Sequence, residues 1–211
     1  MAPGMEVYEP EVRALERENQ TRPPPPGTVV FYGSSSIRLW TSLASDFAGI
    51  PVVNRGFGGS TLAACSWFFW RTVRGLPARS IVFYAGDNDL ADGEPPERVL
   101  DQLKQLLRQV DLAFGPLPFG FISIKPSPAR WGLIDRIRAV NAGAQKLVEA
   151  RNRGVFVDVG PAMLSEGKPR PELFELDGLH LSAKGYALWR ELLLQHRTPL
   201  LADAALADAA P

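Results

Sequence analysis

Cysteine is nearly absent from this chain. Cys65 is the only one among 211 residues, so no internal disulfide can form and nothing points to an oxidising compartment. Histidine is almost as scarce: His180 and His196 are the only two, too few for a good transition-metal site. An excess of one charge is also missing. Lys+Arg and Asp+Glu stand at 23 each, leaving no net field to draw in nucleic acid or an anionic membrane. No apolar run approaches the ~18 residues that a membrane-crossing helix takes. The amino terminus, MAPGMEVYEPEVRALEREN, is polar and acidic, where a secretory signal would have a basic start and an apolar stretch. These absences lead to the expectation of a cytoplasmic protein with no nucleic-acid partner, no membrane span, no metal and no cofactor.

The chain does contain the material of one ordinary domain, with 45% hydrophobic and 22% charged residues. Its organising stretch is residues 28–40, TVVFYGSSSIRLW. The first five residues are β-branched or aromatic and uncharged, as a strand buried on both faces reads. Gly33 and three serines interrupt the run. Ile37, Trp40, Leu43, Ala44 and Phe47 then recur at helical spacing, which predicts one helix through this segment. Further strands are expected at 51–54, 80–85, 117–124 and 155–159, alternating with helices. Pro95 and Pro96 open one helix and Gly115 stops it; Ser182 caps the last. The consecutive aromatics Trp67, Phe68, Phe69 and Trp70 cannot all face one core, so some are expected at a pocket wall and the rest inside. Residues 5–20 read as a marginal surface helix, and the tail from Thr198 as frayed.

Each polar signal falls at the carboxyl end of an expected strand, and in a parallel sheet those ends share one edge. Four distant stretches therefore converge: GSSSI at 33–37, NRGFGGST at 54–61, GDND at 86–89 and DGLH at 177–180. In that order these blocks resemble the four signature blocks of the SGNH hydrolases, the GDSL-type esterases and lipases. The resemblance runs from Thr28 to the last helix. It implies a three-layer α/β/α flavodoxin-like fold with a five-stranded parallel sheet, and a serine esterase that cleaves small-molecule carboxylic esters through an acyl-enzyme. On this basis residues 1–27 form an N-terminal arm and proline-rich lead-in, 28–197 the hydrolase domain and 198–211 a C-terminal tail.

The resemblance puts the nucleophile on Ser35, although Ser34 stands where the family has aspartate. Ser34 is the reserve candidate, in a cap position, and Ser36 reads as structural. A serine hydroxyl needs a base. His180 is the candidate, with Asp177 three residues earlier to orient it, while His196 lies late in the last helix. By the same resemblance the oxyanion donors are the backbone N–H groups of Ser35 and Gly59 and the side-chain amide of Asn88. Gly56 and Gly58 read as turn formers, Asp87 and Asp89 as turn and network groups, and Asp158 as structural. Lys125 and Arg130 are expected at the surface or in salt bridges, with contact to an anionic part of the substrate as the alternative. The rival functions are a phosphate- or FMN-binding module, a metal hydrolase using Asp177 and His180, and a degenerate family member kept for interaction.

Overall fold

The computed structural model describes residues 4–201. Its first long element, α1 (Glu9–Thr21), leads through the proline run into β1 (Thr28–Gly33). Four more strands follow, β2 (Val52–Gly56), β3 (Ala78–Tyr84), β4 (Phe119–Ile122) and β5 (Gly154–Val157), all parallel in the order β2-β1-β3-β4-β5. This is the expected five-stranded sheet, with the strand order of a flavodoxin-like fold.

β1 is interior in the sheet, and all six of its residues are buried. Alternation decides which layer each side chain joins. Val30 and Tyr32 enter the core that also holds Phe68, Leu103 and Val140, whereas Val29 and Phe31 enter the opposite core with Trp40, Trp189 and Leu193. Burying each such side chain contributes about 1.5–3 kcal/mol. An uncharged run is therefore required of β1, because neither face meets water.

The segment after β1 departs from the expected single helix. It is two short helices, α2 (Ser35–Arg38) and α3 (Leu43–Asp46). Side chains take up backbone carbonyls there that a continuous helix would use: Asn54 Nδ2 donates to Ile37 O at 2.6 Å and the Ser45 hydroxyl to Ser42 O at 2.8 Å. Ile37, Trp40, Leu43 and Phe47 are buried as their spacing requires, but the break shifts the phase and leaves Ala44 exposed.

Later helices follow the sequence signals closely. α4 (Leu62–Thr72) is capped by Thr61, whose Oγ1 accepts from Ala64 N. A short α5 (Asp87–Ala91) follows β3 and had no apolar period to announce it. α6 (Pro96–Phe114) ends at Gly115, α7 (Ile134–Glu149) follows a 3-10 turn, and α8 (Ala183–Gln195) is capped by Ser182. A two-residue hairpin, β6 (Leu164–Ser165) with β7 (Lys168–Pro169), lies in the long loop before α8.

Two terminal expectations need correction. The chain does not fray at Thr198: Leu200 and Leu201 are buried, and the Ser80 hydroxyl donates to Leu200 O at 2.6 Å. The remainder of the expected tail lies outside the described residues. At the other end α1 is docked, not marginal, since Val12 is fully buried and Arg71 of α4 bonds both Glu9 and Glu16. Of the four aromatics in α4, Phe68 and Phe69 are buried and Trp67 and Trp70 border a cleft against α6.

Candidate active site

Gly33 closes β1 with φ +139°, and a Cβ there would meet Tyr84 O at 1.9 Å, so only glycine lets β1 and β3 stay this close. The chain then turns through extended Ser34, whose N–H donates to Tyr84 O, and enters α2 at Ser35. Burial separates the three serines. Ser34 and Ser36 are each 1% exposed, while Ser35 is partly exposed. Ser34 Oγ has no hydrogen-bond partner, and Ser36 Oγ accepts from Lys125 Nζ at 3.1 Å. Ser35 Oγ lies 3.1 Å from His180 Nε2.

The other side of His180 is held just as tightly. Its Nδ1 is 2.6 Å from Asp177 Oδ2, and Asp177 Oδ1 accepts the backbone N–H groups of Leu179 and His180 at 2.8 and 2.9 Å. The Leu179 N–H, helped by the His180 backbone and ring N–H groups, outweighs the opposing effect of burial and draws the Asp177 carboxyl down to about 2. Asp177 is thus an acceptor-only carboxylate at neutral pH, which assigns the ring proton to Nδ1 and leaves the Nε2 lone pair facing the Ser35 hydroxyl. The loop is fixed beneath by Glu175 N donating to His180 O and Ala129 N donating to Gly178 O.

Beside Ser35, three backbone segments are stitched together at Gly33 and Ser60. Phe57 N and the Ser60 hydroxyl both donate to Gly33 O, and Asn88 Nδ2 donates to Ser60 O at 3.0 Å. Arg130 Nη2 donates to Asn88 Oδ1 at 3.2 Å, which fixes the amide's orientation and leaves its second N–H available. Gly59 adopts φ +65° with no heavy atom within 4 Å of where a Cβ would sit. Among the described residues, neither Ser35 N–H nor Gly59 N–H has a hydrogen-bond acceptor. The region around Ser35 therefore holds hydrogen-bond donors that no protein group uses.

Behind this edge lies a buried charge cluster. Lys125 is 1% exposed, not at the surface, and its Nζ lies 3.0 Å from Asp87 Oδ2 and from the Tyr84 hydroxyl. Burial opposes ionisation of Asp87, but the Lys125 ammonium, Arg130 and the Tyr84 hydroxyl together outweigh it and hold the carboxyl below its usual range. Arg130 also donates to Asp87 O. Asp89 accepts Leu62 N with both oxygens at 3.0 Å, tying α5 to the start of α4, and burial pushes its carboxyl up to about 6. Asp158 stays in its own turn, bonded to Ser123 Oγ and Gly160 N, and His196 follows the end of α8.

Ser35, Asp177, His180, Gly59 and Asn88 thus sit on elements that share the carboxyl edge of the sheet. The sequence reading missed the depth of Lys125 and the bond from Arg130 to Asn88. No local signal announced either one: Lys125 follows an apolar run and precedes Pro126 as a surface lysine could.

The fold has counterparts elsewhere. The family model of GDSL-like lipases/acylhydrolases matches residues 27–188. Among solved structures, a Streptococcus pneumonia protein named for platelet activating factor is 21% identical, with a TM-score of 0.80 over 91% of this chain and 94% of its own. A GDSL-like lipase from Bacteroides thetaiotaomicron is 23% identical, with a TM-score of 0.70 over 92% and 96% of the two chains. A lipase/acylhydrolase from Enterococcus faecalis is 21% identical, with a TM-score of 0.69 over 83% and 97%. At these identities the likeness speaks to the fold. No curated protein matches the chain. No helix among the described residues is long and apolar enough to cross a membrane.

Proposed function

Because the chain belongs to the GDSL-like lipase/acylhydrolase family, we propose that it is a serine esterase in which Ser35, His180 and Asp177 form the catalytic triad. The observation that carries this reading is the continuous hydrogen-bond chain from Ser35 Oγ through His180 to Asp177. Ser35 Oγ attacks the acyl carbonyl while its proton passes to His180 Nε2. Asp177 stabilises the imidazolium so formed. The oxygen of the attacked carbonyl becomes an anion and takes hydrogen bonds from the N–H groups of Ser35 and Gly59 and from the Asn88 amide, one such donor being worth about 3 kcal/mol. His180 then protonates the departing alcohol. Water, deprotonated by the same histidine, attacks the acyl-enzyme and releases the acid.

A short acyl group is the proposed substrate: Ser35 is only partly exposed, with Ser34 and Ser36 buried on either side of it. A sheet that held only phosphate or FMN would have no use for a histidine aimed at a serine. The test is hydrolysis of p-nitrophenyl esters of graded chain length, with Ser35→Ala as the blank. Acetate is expected to be the best substrate and the blank inactive with an unchanged circular dichroism spectrum; a folded, active Ser35→Ala would move the role to another residue.

A further inference from the structure

α1 lies before the residues that match the family, yet it reaches the loop that carries Gly59. Glu11 Oε2 accepts the Gly58 N–H at 2.9 Å, and the Tyr8 hydroxyl donates to Gly59 O at 3.3 Å. These two bonds grip the backbone on either side of the Gly59 N–H. Phe57 and Ser60 tie the two ends of the loop to Gly33, but Gly58 and Gly59 between them have no side chains to pack, and ordering them costs more entropy than for other residues. An outside clamp meets that cost.

Glu11 also lies 3.6 Å from Arg38 Nε, on the last residue of the helix that Ser35 begins. One carboxylate thus joins the serine's helix to the glycine loop. A Cβ on Gly58 would meet Glu11 Oε1 at 3.0 Å and Arg38 Nε at 3.1 Å, so the three groups fill the space between them. Glu11 and Arg38 are each 45% exposed, so the ion pair itself is weak. The charge-assisted bond to Gly58 N–H matters more.

The clamp is itself firmly seated. The Tyr8 ring packs edge-on against Phe57 and Phe68 at 5.5 and 6.4 Å, and Asn19 bonds both Thr72 O and Arg55. Tyr8 and Glu11, three positions apart, project from one face of the helical turn.

We infer that α1 and the residue before it act as a positioning element for the reaction, with Glu11 and Tyr8 holding the Gly58–Gly59 backbone so that the Gly59 N–H points at the carbonyl oxygen under attack. This rests on Ser35 and Gly59 having the roles proposed above.

The experiment is the second-order rate of labelling by an alkyl fluorophosphonate. Ser35 Oγ forms the P–O bond, the P–F bond breaks, fluoride leaves and His180 takes the hydroxyl proton. The phosphoryl oxygen gains charge in the same donor set, and no knowledge of the natural ester is needed. Glu11→Ala should slow labelling about tenfold and Tyr8→Phe about threefold, a fraction of what losing a whole donor costs. Glu11→Gln, which still offers an oxygen to Gly58 N–H, should return the rate to within about twofold of wild type. Glu16→Ala removes an ion pair that seats the helix but touches neither glycine, and should label like wild type. Wild-type labelling by Glu11→Ala, or equal slowing in Glu16→Ala, would overturn the inference while leaving the Ser35 reading intact. Labelling that survives in Ser35→Ala would overturn both. Should Glu11→Ala not fold, Tyr8→Phe decides, since its ring packing is unchanged.

Discussion

Ser35 Oγ and His180 Nε2 are 3.1 Å apart although 145 positions separate them in the chain. The contact depends on the two ends of the parallel sheet's connectivity meeting above one edge. Ser35 comes directly from β1, while His180 arrives on a loop that leaves β5 and is anchored at Ala129 before it reaches the serine. The imidazole is oriented locally by Asp177, so the long-range part of the site is a single approach.

The tautomer of His180 makes Asp177 the most informative position to change. In Asp177→Asn the amide can present its N–H to Nδ1, which drives the ring proton to Nε2, where it blocks acceptance from Ser35. Esterase kcat/KM should fall by about 10³–10⁴ with the fold retained. Steady-state hydrolysis of p-nitrophenyl acetate, beside a melting curve, measures it; a loss below tenfold would show that the carboxylate is dispensable.

Asn88 and Arg130 should act in series. Asn88→Ala removes a donor and should lower kcat by about 10²-fold with little change in KM. Arg130→Ala leaves the amide in place but free to rotate, so a smaller loss, about tenfold, is expected. The double variant should be no worse than Asn88→Ala alone, because Arg130 works through the amide. Additive losses in the double variant would refute the series arrangement.

Lys125 and Asp87 form a buried ion pair, 3.0 Å long, at 1% and 6% side-chain exposure. Lys125→Met strands the carboxylate and should destabilise the protein by about 3–5 kcal/mol in urea unfolding. Adding Asp87→Asn removes the stranded charge, and the double variant should regain part of that loss. No recovery in the double variant would mean that packing, not charge, sets the effect.

Asp89 gives the stability of the protein a pH dependence of known sign. Its carboxyl titrates at about 6 in the fold against an ordinary 3.8. A carboxyl raised in the native state stabilises fully below its unfolded value and loses that contribution as pH rises through about 6. Between about pH 4 and 7.5 the wild type should therefore lose about 3 kcal/mol relative to Asp89→Asn. Parallel unfolding curves of the two proteins across that range measure the difference; an invariant gap would contradict the assignment.

Much of this site was legible before any coordinates. Apolar runs without charge marked the strands because a parallel sheet covered on both faces admits little else, and the blocks of glycine and polar residues marked where each strand ends. With two histidines in the chain and an aspartate three residues before one of them, the candidate base and its candidate partner were named from scarcity and from local reach.

Other features had no local signature. The resemblance and the cap position picked Ser35 out of three serines, but the row itself does not show how far each hydroxyl is exposed; that is settled by what packs around α2. Lys125 is expected at the surface or in a salt bridge; it makes the salt bridge, with Asp87, but at a depth that only Asp87 and Tyr84 make tolerable. The expected helix from Ile37 to Phe47 had most of the right buried residues and the wrong continuity, because the distant Asn54 amide takes the Ile37 carbonyl and the Ser45 hydroxyl takes that of Ser42.

By itself the sequence determined the layers, the strand order's polar edge and the small set of groups gathered there, since periodicity and composition act over a few residues. Tertiary structure alone decided how deeply each serine and Lys125 are buried, how the Asn88 amide is turned and that α1 touches the glycine loop. Those choices depend on directions and distances between segments far apart in the chain, and such directions exist only after the two cores have packed.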